Sequence, residues 1–322
     1  MPPPLVSLVS QATVALTIEI DNVLESRMPH TTTVNKTRQG PWLTSYVMWA
    51  NFLRLVPEEG IGERALAAAA GVGRPRHPSQ QGMLRWGYVT IDDDKVLRRT
   101  RAGERAAAEW APLAAEVEGR WRDRLGADLV DGVRAAAESY VAARGIALPG
   151  YLPQVAHDLR SPAPFAAALV PGDPALVTAL ANVLHLLAID FEAGWPVSLA
   201  VAPNVLRVCG DDGIALRDIP GAAGISKPAT TFGVNALGPR FATVEDKVLR
   251  LTPAGAAIRA ESGARLQALD DAGLRAGAAA ILEHPRFREA LAPVEGGWRK
   301  QPPTHLPHFP MVLHRGGYPD GA

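Results

Sequence analysis

Residues 42–75 read WLTSYVMWANFLRLVPEEGIGERALAAAAGVGRP, and residues 195–228 read WPVSLAVAPNVLRVCGDDGIALRDIPGAAGISKP. Many residue types recur between the two stretches at a constant offset of 153 positions (195 minus 42). After a one-residue gap the match resumes in the motif DKVLR, at 94–98 and again at 246–250. Self-similarity at a fixed spacing indicates repeated structural units. The chain therefore carries two versions of one module.

The first part of each copy has the pattern of a helix-turn-helix. An apolar helix opens each copy, and residues 44–55 and 198–208 are predicted as a following helix. A short helix then ends in Ala-Ala-Gly, where glycine supplies the positive φ of a tight turn. In the second copy Ser226 is a suitable N-cap for the next helix, whereas prolines in the first copy delay that helix until about Ser79.

The second part of each copy predicts a hairpin and a long helix. Two β-rich runs occur at 88–91 and 96–99, and the second copy repeats them. Thr100 and Thr252 then stand at N-cap positions, and in the first copy apolar residues from Ala106 to Leu125 form one helical stripe that must be packed. A helix-turn-helix followed by a hairpin is a winged helix. The predicted fold class is mainly α with small β-wings, in two tandem winged helix-turn-helix modules.

Four segments follow from these patterns. We predict a first module with long C-terminal helices at 1–148, a Pro-rich linker at 149–175, a second module at 176–290, and a tail rich in Pro and His at 291–322. A length of 322 residues agrees with about two domains.

The composition of the chain limits the classes of protein to which it can belong. Lys plus Arg equals Asp plus Glu at 33 each, so the whole chain has no basic field, although 74–105 and 226–250 are locally basic. A single cysteine, Cys209, excludes an internal disulfide and favours a cytoplasmic location, and its apolar neighbours indicate a buried, inert thiol. Glu19 and Asp21 interrupt the apolar N-terminal stretch, which we expect to be a packed helix and not a membrane span.

No pattern of catalytic chemistry is present. The chain has no Gly-x-Ser-x-Gly motif, no phosphate-binding glycine loop and no metal-spaced Cys/His set, so we predict no catalytic residue, no cofactor and no metal. Two acid pairs near the first helices of the copies, and three tail histidines, are more typical of solvated or salt-bridged side chains than of catalysts or metal ligands. These residues are Glu19, Asp21, Asp190, Glu192, His305, His308 and His314.

The segment VLRRTRAGER at 96–105, continued by WAPL at 110–113 and WRDRL at 121–125, resembles the MarR family of winged-helix regulators. It is similar to that family's strand, capped helix and dimerisation helix, and LRLTPAG at 249–255 resembles the same element. Two identical subunits of such regulators pair through their terminal helices and bind a palindrome. The resemblance, which covers about 14–145 and 177–285, therefore implies an intramolecular pseudo-dimer.

The resemblance also implies a transcriptional regulator that binds double-stranded DNA and responds to a small apolar or aromatic effector. Gln and Asn suit adenine edges, and Arg suits guanine or phosphate. Effector pockets in such proteins lie between the winged and helical regions, which implicates Trp42, Trp49 and Trp195, with core packing as the alternative. The implied DNA contacts are Arg74, Arg76, Ser79, Gln80, Gln81, Lys95, Arg98, Ser226, Lys227, Thr230, Thr231, Asn235, Lys247 and Arg250.

Two other functions stay open. The predicted hairpin tips carry acids, at 92–94 and 245–246, which repel a phosphate backbone. The alternative function is a ligand-binding or protein-interaction module on a winged-helix scaffold that has lost DNA binding. A third is an enzyme using the cleft between the modules, without a recognisable set of catalytic residues. We expect a monomer or a weak homodimer with no membrane partner.

Overall fold

The structure, a computed structural model, describes residues 2–27, 30–31, 41–42, 52–70, 78–85, 87–146, 148, 175–292, 302–306 and 308–309. Over these ranges the protein is mainly helical with small antiparallel sheets. The elements of the first half are α1 (Leu5–Arg27), β1 (His30–Thr31), β2 (Pro41–Trp42), β3 (Ile61–Gly62), α2 (Glu63–Ala69), α3 (Pro78–Arg85), β4 (Val89–Ile91), β5 (Val96–Arg99), α4 (Arg101–Trp110), α5 (Leu113–Leu125) and α6 (Ala127–Ala142).

The second half repeats much of this order. It contains α7 (Leu176–Glu192), α8 (Pro203–Val208), β6 (Ile214–Ala215), α9 (Ile219–Ala223), α10 (Lys227–Phe241), β7 (Ala242–Glu245), β8 (Val248–Leu251), α11 (Pro253–Ala268), α12 (Ala272–Glu283) and a 3-10 helix (Phe287–Leu291).

Each half holds a three-stranded sheet of the same topology. The orders are β3-β5-β4 and β6-β8-β7, with every pair antiparallel. The predicted hairpins are confirmed as β4/β5 and β7/β8. The two-residue strands β3 and β6 were not predicted, because two residues are too short to show alternation. They pair at equivalent positions, with Ile61 opposite Leu97 and Ile214 opposite Leu249.

The predicted N-caps are confirmed. Thr100 Oγ1 accepts a hydrogen bond from Gly103 N at 3.1 Å, and Thr252 Oγ1 accepts one from Gly255 N at 3.1 Å. Ser226 Oγ accepts one from Ala229 N at 3.2 Å. Each bond satisfies a backbone N–H that the first helical turn leaves without an internal partner.

Proline changes two predicted helices. The apolar stripe from Ala106 to Leu125 is buried as predicted, but it lies on two helices, α4 and α5, separated at Ala111–Pro112. Proline lacks a backbone N–H and clashes with the preceding turn, so a continuous helix is broken there. The helix predicted over 198–208 begins only at Pro203, where proline is accepted in the first turn. Most of its predicted counterpart, 44–55, lies outside the described residues.

The larger hydrophobic core joins helices from both halves. Helix α1 packs against α5, α7 and α12, and α6 packs against α5, α7 and α12. A buried ion pair links α1 to α5, since Arg124 Nη2 lies 2.6 Å from Glu19 Oε2. Trp121 Nε1 donates to the same oxygen at 2.7 Å. The apolar side chains of the first sheet belong to this core, whereas the second sheet packs on a smaller core of its own.

Part of the C-terminal tail packs back on the second half. Leu306 and Phe309 are buried, and Asn204 Nδ2 donates to the Phe309 carbonyl oxygen at 3.4 Å. Residues 149–174 of the predicted linker, 149–175, and the tail beyond residue 309 lie outside the described residues. Among the helices described, none is both long enough and apolar enough to cross a membrane.

Candidate nucleic-acid interface

The turn between α9 and α10 sets the direction of α10. Gly224 has φ 72° and ψ 33°, the left-handed conformation that glycine adopts without strain, and its N–H donates to the Pro220 carbonyl. Ser226 then caps α10. The helix is continuous from Lys227 to Leu237, and a non-helical glycine, Gly238, interrupts its last turn. Equivalent sequence in the first half, 71–77, lies outside the described residues.

One face of α10 is exposed and polar. Lys227, Thr231 and Asn235 are spaced by four residues and are all exposed, so they follow one another along the helix surface. Thr230 is buried, and its hydroxyl donates to the Ser226 carbonyl at 3.0 Å. Ser226 uses its own hydroxyl as the cap. Thr231 makes a bond equivalent to that of Thr230, since its hydroxyl donates to the Lys227 carbonyl oxygen at 3.1 Å. Burial, and not this bond, therefore makes Thr230 a poorer candidate than Thr231 for the predicted base contact.

The β7/β8 hairpin beside α10 ends in a two-residue turn. Asp246 and Lys247 have φ values of 51° and 63°, the left-handed pair that closes a tight antiparallel hairpin. Lys247 and Arg250 are both exposed. Lys247 and residues of α10 line one groove.

A groove of about 750 Å³ separates α10 from the hairpin. Three cations and one carboxylate belong to its lining, so the rim is net positive, and the remaining side chains are mostly apolar. The lining residues are Ala215, Leu216, Arg217, Pro220, Lys227, Thr230, Thr231, Val234, Asn235, Val244, Asp246, Lys247 and Val248.

Arg217 also belongs to this surface and was not predicted. Its side chain is 87% exposed and lies 3.6 Å from Asp218. The repeat contained a signal for it, because Arg64 occupies the equivalent position in the first half and is also exposed.

The first half presents fewer of the predicted side chains. Gln80 is completely buried, and its Nε2 donates to Glu63 Oε1 at 2.9 Å. A buried amide held by a carboxylate does not reach a base edge, so its placement disagrees with the predicted contact. Gln81 and Lys95 are exposed. Arg74 and Arg76 lie outside the described residues, and the side chain of Ser79 is not described.

An ion pair distinguishes the two hairpins. Arg98 contacts the Asp92 carboxylate in the first hairpin. The Val96 N–H and then Arg98 lower the pKa of that carboxyl below its ordinary value, which keeps the pair charged. The equivalent Arg250 has no acidic partner among the described residues. Arg250 is therefore more available than Arg98 to pair with an anion of another molecule.

The tryptophans predicted to line an effector pocket are only partly described. Trp49 and the side chain of Trp42 lie outside the described residues. Trp195 is half-buried and packs against both cores, with the Arg265 guanidinium 4.4 Å from its ring centroid. Its buried Nε1 has no hydrogen-bond partner among the described residues. These contacts agree with the packing alternative for Trp195.

The other titratable candidates have structural partners. Glu19 pairs with Arg124, Asp190 pairs with Arg144 at 2.6 Å, and Glu192 accepts the Leu199 N–H at 2.8 Å. Asp21 is buried. No group of three His, Cys, Asp or Glu residues in the described part of the chain is arranged to hold a metal ion.

Cys209 is buried and His308 is partly buried, whereas His305 is exposed. Cys209 is buried, as predicted, and burial raises the pKa of its thiol. Burial lowers the pKa of His308 to about 4, and His314 lies outside the described residues.

Comparisons of the chain with protein-family models, with curated proteins and with solved structures found no match.

Proposed function

We propose that the protein is a DNA-binding transcriptional regulator made of two winged helix-turn-helix modules that form an intramolecular pseudo-dimer. The matching order of the two three-stranded sheets and the equivalent caps at Thr100 and Thr252 support two copies of one module. Packing of α1 against α7 supports pairing of the copies through their first helices. A cytoplasmic location and a response to a small apolar ligand belong to the same proposal.

The observation that carries the proposal is the exposed face of α10. Lys227, Thr231 and Asn235 lie along one side of a helix, and Lys247 lines the same groove from the hairpin. A helix of this kind fits the major groove of DNA, where an asparagine amide pairs with adenine. Lysines at the helix start and on the hairpin are suited to phosphates on either side of that groove.

The two modules contribute unequally to this function. Lys227, Asn235 and Arg250 are exposed in the second module, and Arg250 has no acidic partner among the described residues. In the first module Gln80 is buried and Arg98 is paired with Asp92. We therefore propose that base reading comes mainly from α10, and that the first module adds phosphate contacts.

To find a sequence that the protein binds, the full chain is first used to select DNA duplexes from a random library. Fluorescence anisotropy then measures the affinity for the selected duplex and for a scrambled one across a salt series. We expect Asn235→Ala to weaken binding to the selected duplex at least fivefold and to leave the scrambled duplex almost unchanged, because a bidentate base contact is worth about 1–3 kcal/mol. Lys227→Ala weakens both and reduces the salt slope by about 1.

Arg120→Ala is the matched control, because Arg120 is an exposed cation on α5, where it pairs with Glu116. It should leave both affinities unchanged. The proposal fails if no sequence is enriched, or if Asn235→Ala and Lys227→Ala bind the selected duplex as tightly as the unaltered protein does.

A second candidate function rests on the apolar side of the same groove. Val244, which lines the groove, is 46% exposed, and Phe232, which lies on α10 outside that lining, is 38% exposed. Exposed apolar side chains in one region suit an apolar ligand or a protein partner better than a phosphate backbone. Asp246 also lies at the groove and repels phosphate. A ligand-binding or protein-interaction module is therefore the alternative, and it predicts weak DNA binding that ignores sequence.

A further inference from the structure

A segment of the C-terminal tail lies where the two hydrophobic cores meet. We call residues 302–309 the strap, and the structure describes all of them except Pro307. Its buried apolar side chains, Leu306 and Phe309, belong to the larger core, which joins helices from both halves. Ala223 and Ile225, on either side of the α9–α10 turn, belong to the smaller core of the second half.

The strap approaches that turn at its left-handed glycine. A Cβ atom at Gly224 would lie 3.1 Å from the Leu306 carbonyl oxygen and 3.1 Å from Cδ2 of His305, which is closer than most Cβ atoms come to a neighbour. Glycine therefore serves two purposes here, since it adopts a φ of 72° and leaves room for the strap. Displacement of the strap would remove packing from the turn that precedes α10.

Two side chains outside the strap hold its backbone. Arg288, in the 3-10 helix that packs against α1, donates to the carbonyl oxygens of Pro303 and Thr304, both at 3.3 Å. Asn204, on α8, donates to the Phe309 carbonyl oxygen at 3.4 Å. One end of the strap is therefore bound to the larger core, and the other end is bound to the helix-turn-helix of the second half.

These attachments are weak for a segment of this length. The three hydrogen bonds are longer than the usual range of about 2.7–3.2 Å. No backbone–backbone hydrogen bond joins the described residues of the strap to the rest of the described chain. Segments with few backbone hydrogen bonds open at a lower free energy than core helices and strands do. The strap can therefore detach while both cores stay intact.

We propose that the strap is a releasable positioning element, and that the site it occupies on the second half binds a proline-rich peptide. While the strap is bound, Leu306 and Phe309 fill the site and the α9–α10 turn is ordered. When the strap leaves, the turn becomes mobile although the module stays folded. Proline-rich segments suit this role, because proline restricts the free peptide and lowers the entropy lost on binding.

Release of the strap has a consequence for α10, which begins directly after the turn. Helix α10 carries the exposed face of Lys227, Thr231 and Asn235. Mobility at its start lowers the fraction of molecules in which that face is correctly placed, and therefore weakens binding to the selected duplex. This consequence alone rests on the proposed function, and the experiment below uses no DNA.

Amide hydrogen exchange of the full chain, followed by NMR, tests the proposal. Gly224 N–H and Ile225 N–H both donate to the Pro220 carbonyl oxygen, at 3.0 and 3.1 Å, so their exchange rates report opening of the turn. Thr252 N–H donates to the Phe241 carbonyl oxygen at 3.0 Å elsewhere in the same half, so its exchange rate reports opening of the whole module.

Arg288→Gln removes the charged donor that holds the strap to the larger core. We expect it to raise the exchange rates of Gly224 and Ile225 at least about fivefold, because hydrogen bonds from a charged group are lost, and to leave that of Thr252 unchanged. Arg286→Gln is the matched control, because Arg286 is an exposed arginine two positions away that pairs with Glu289 and not with the strap. It should leave all three rates unchanged.

Phe309→Ala removes the most buried side chain of the strap and should have the same local effect as Arg288→Gln. A synthetic peptide of residues 302–309, PPTHLPHF, added to this variant at millimolar concentration should restore slow exchange at Gly224 and Ile225. The same peptide carrying Phe309→Ala should not restore it. A side chain with a merely structural role would not be replaced by a separate peptide.

Circular dichroism confirms that each variant is folded, and Arg288→Gln decides the question alone if Phe309→Ala is not. Three outcomes overturn the proposal. They are unchanged exchange at Gly224 and Ile225 in folded Arg288→Gln, an equal rise at Thr252, or failure of the PPTHLPHF peptide to slow exchange in folded Phe309→Ala.

Discussion

Two glycines in one helix should respond in opposite directions to the same substitution. A Cβ atom at Gly255, in the first turn of α11, would lie 1.9 Å from the Phe241 carbonyl oxygen. A Cβ atom at Gly263, two turns later, would meet no atom within 4 Å. We therefore predict that Gly255→Ala destabilises the protein and that Gly263→Ala stabilises it.

The magnitudes follow from these contacts. Relieving the 1.9 Å contact requires a backbone shift of more than 1 Å, since real Cβ atoms do not approach closer than 3.0 Å. Overpacking of this kind costs about 1–3 kcal/mol. The same carbonyl accepts the Thr252 N–H at 3.0 Å, and losing that hydrogen bond costs about 1 kcal/mol more. Helix propensity offsets at most about 1 kcal/mol at Gly255 and contributes about 0.5–1 kcal/mol of stability at Gly263.

Urea denaturation of the full chain, followed by far-UV circular dichroism, measures both effects. The two variants should differ in free energy of unfolding by about 2–4 kcal/mol, which is the overpacking cost plus the lost hydrogen bond, because the gain in helix propensity is common to both. Gly103→Ala provides a second test, because its Cβ would lie 2.0 Å from the Tyr88 carbonyl oxygen in the first half. Equal shifts for Gly255→Ala and Gly263→Ala would refute the argument, since helix propensity alone would then explain both.

Two further predictions concern buried ionisable side chains. Glu19→Ala should destabilise the protein by about 3–5 kcal/mol because it leaves Arg124 buried without its partner. Glu116→Ala breaks the partly exposed pairs with Arg27 and Arg120 and should cost less than about 1 kcal/mol in the same urea assay. Equal losses would contradict this. Burial lowers the pKa of His185 to about 4 from 6.5, so its native form binds fewer protons than the unfolded chain between those values. The free energy of unfolding should therefore fall by about 3 kcal/mol as pH drops from 6.5 to 4. In urea titrations over this pH range, His185→Gln should make the free energy of unfolding depend less on pH. An unchanged dependence would show that other groups cause the loss of stability.

Local chemistry explains why much of the secondary structure was predictable. Threonine is a preferred N-cap residue, and each of these two precedes a helical pattern, so Thr100 and Thr252 could be assigned from sequence. The hairpins were equally visible, because β-rich runs on either side of a polar turn leave few alternatives. The repeat strengthened each assignment by showing the same pattern twice.

Tertiary contacts explain what could not be predicted. Gln80 is polar and lies in a helix predicted to contact bases, yet it is buried and donates a hydrogen bond to Glu63, 17 positions earlier. Only the fold brings those side chains together. The Asp92–Arg98 pair likewise depends on the folded hairpin, which brings side chains six positions apart into contact.

Helix α1 lies in a core that cannot be completed while the chain is still short. Its partner α12 begins at Ala272, 245 positions after α1 ends at Arg27 (272 minus 27). At about 5–20 residues per second, translation leaves α1 without that partner for roughly 12–50 seconds. Helix α5 also contacts α1 and emerges much earlier, so it can shield part of the apolar surface in the meantime. Because α5 is synthesised before α12, the order of synthesis favours packing of α1 against α5 first and against α12 last.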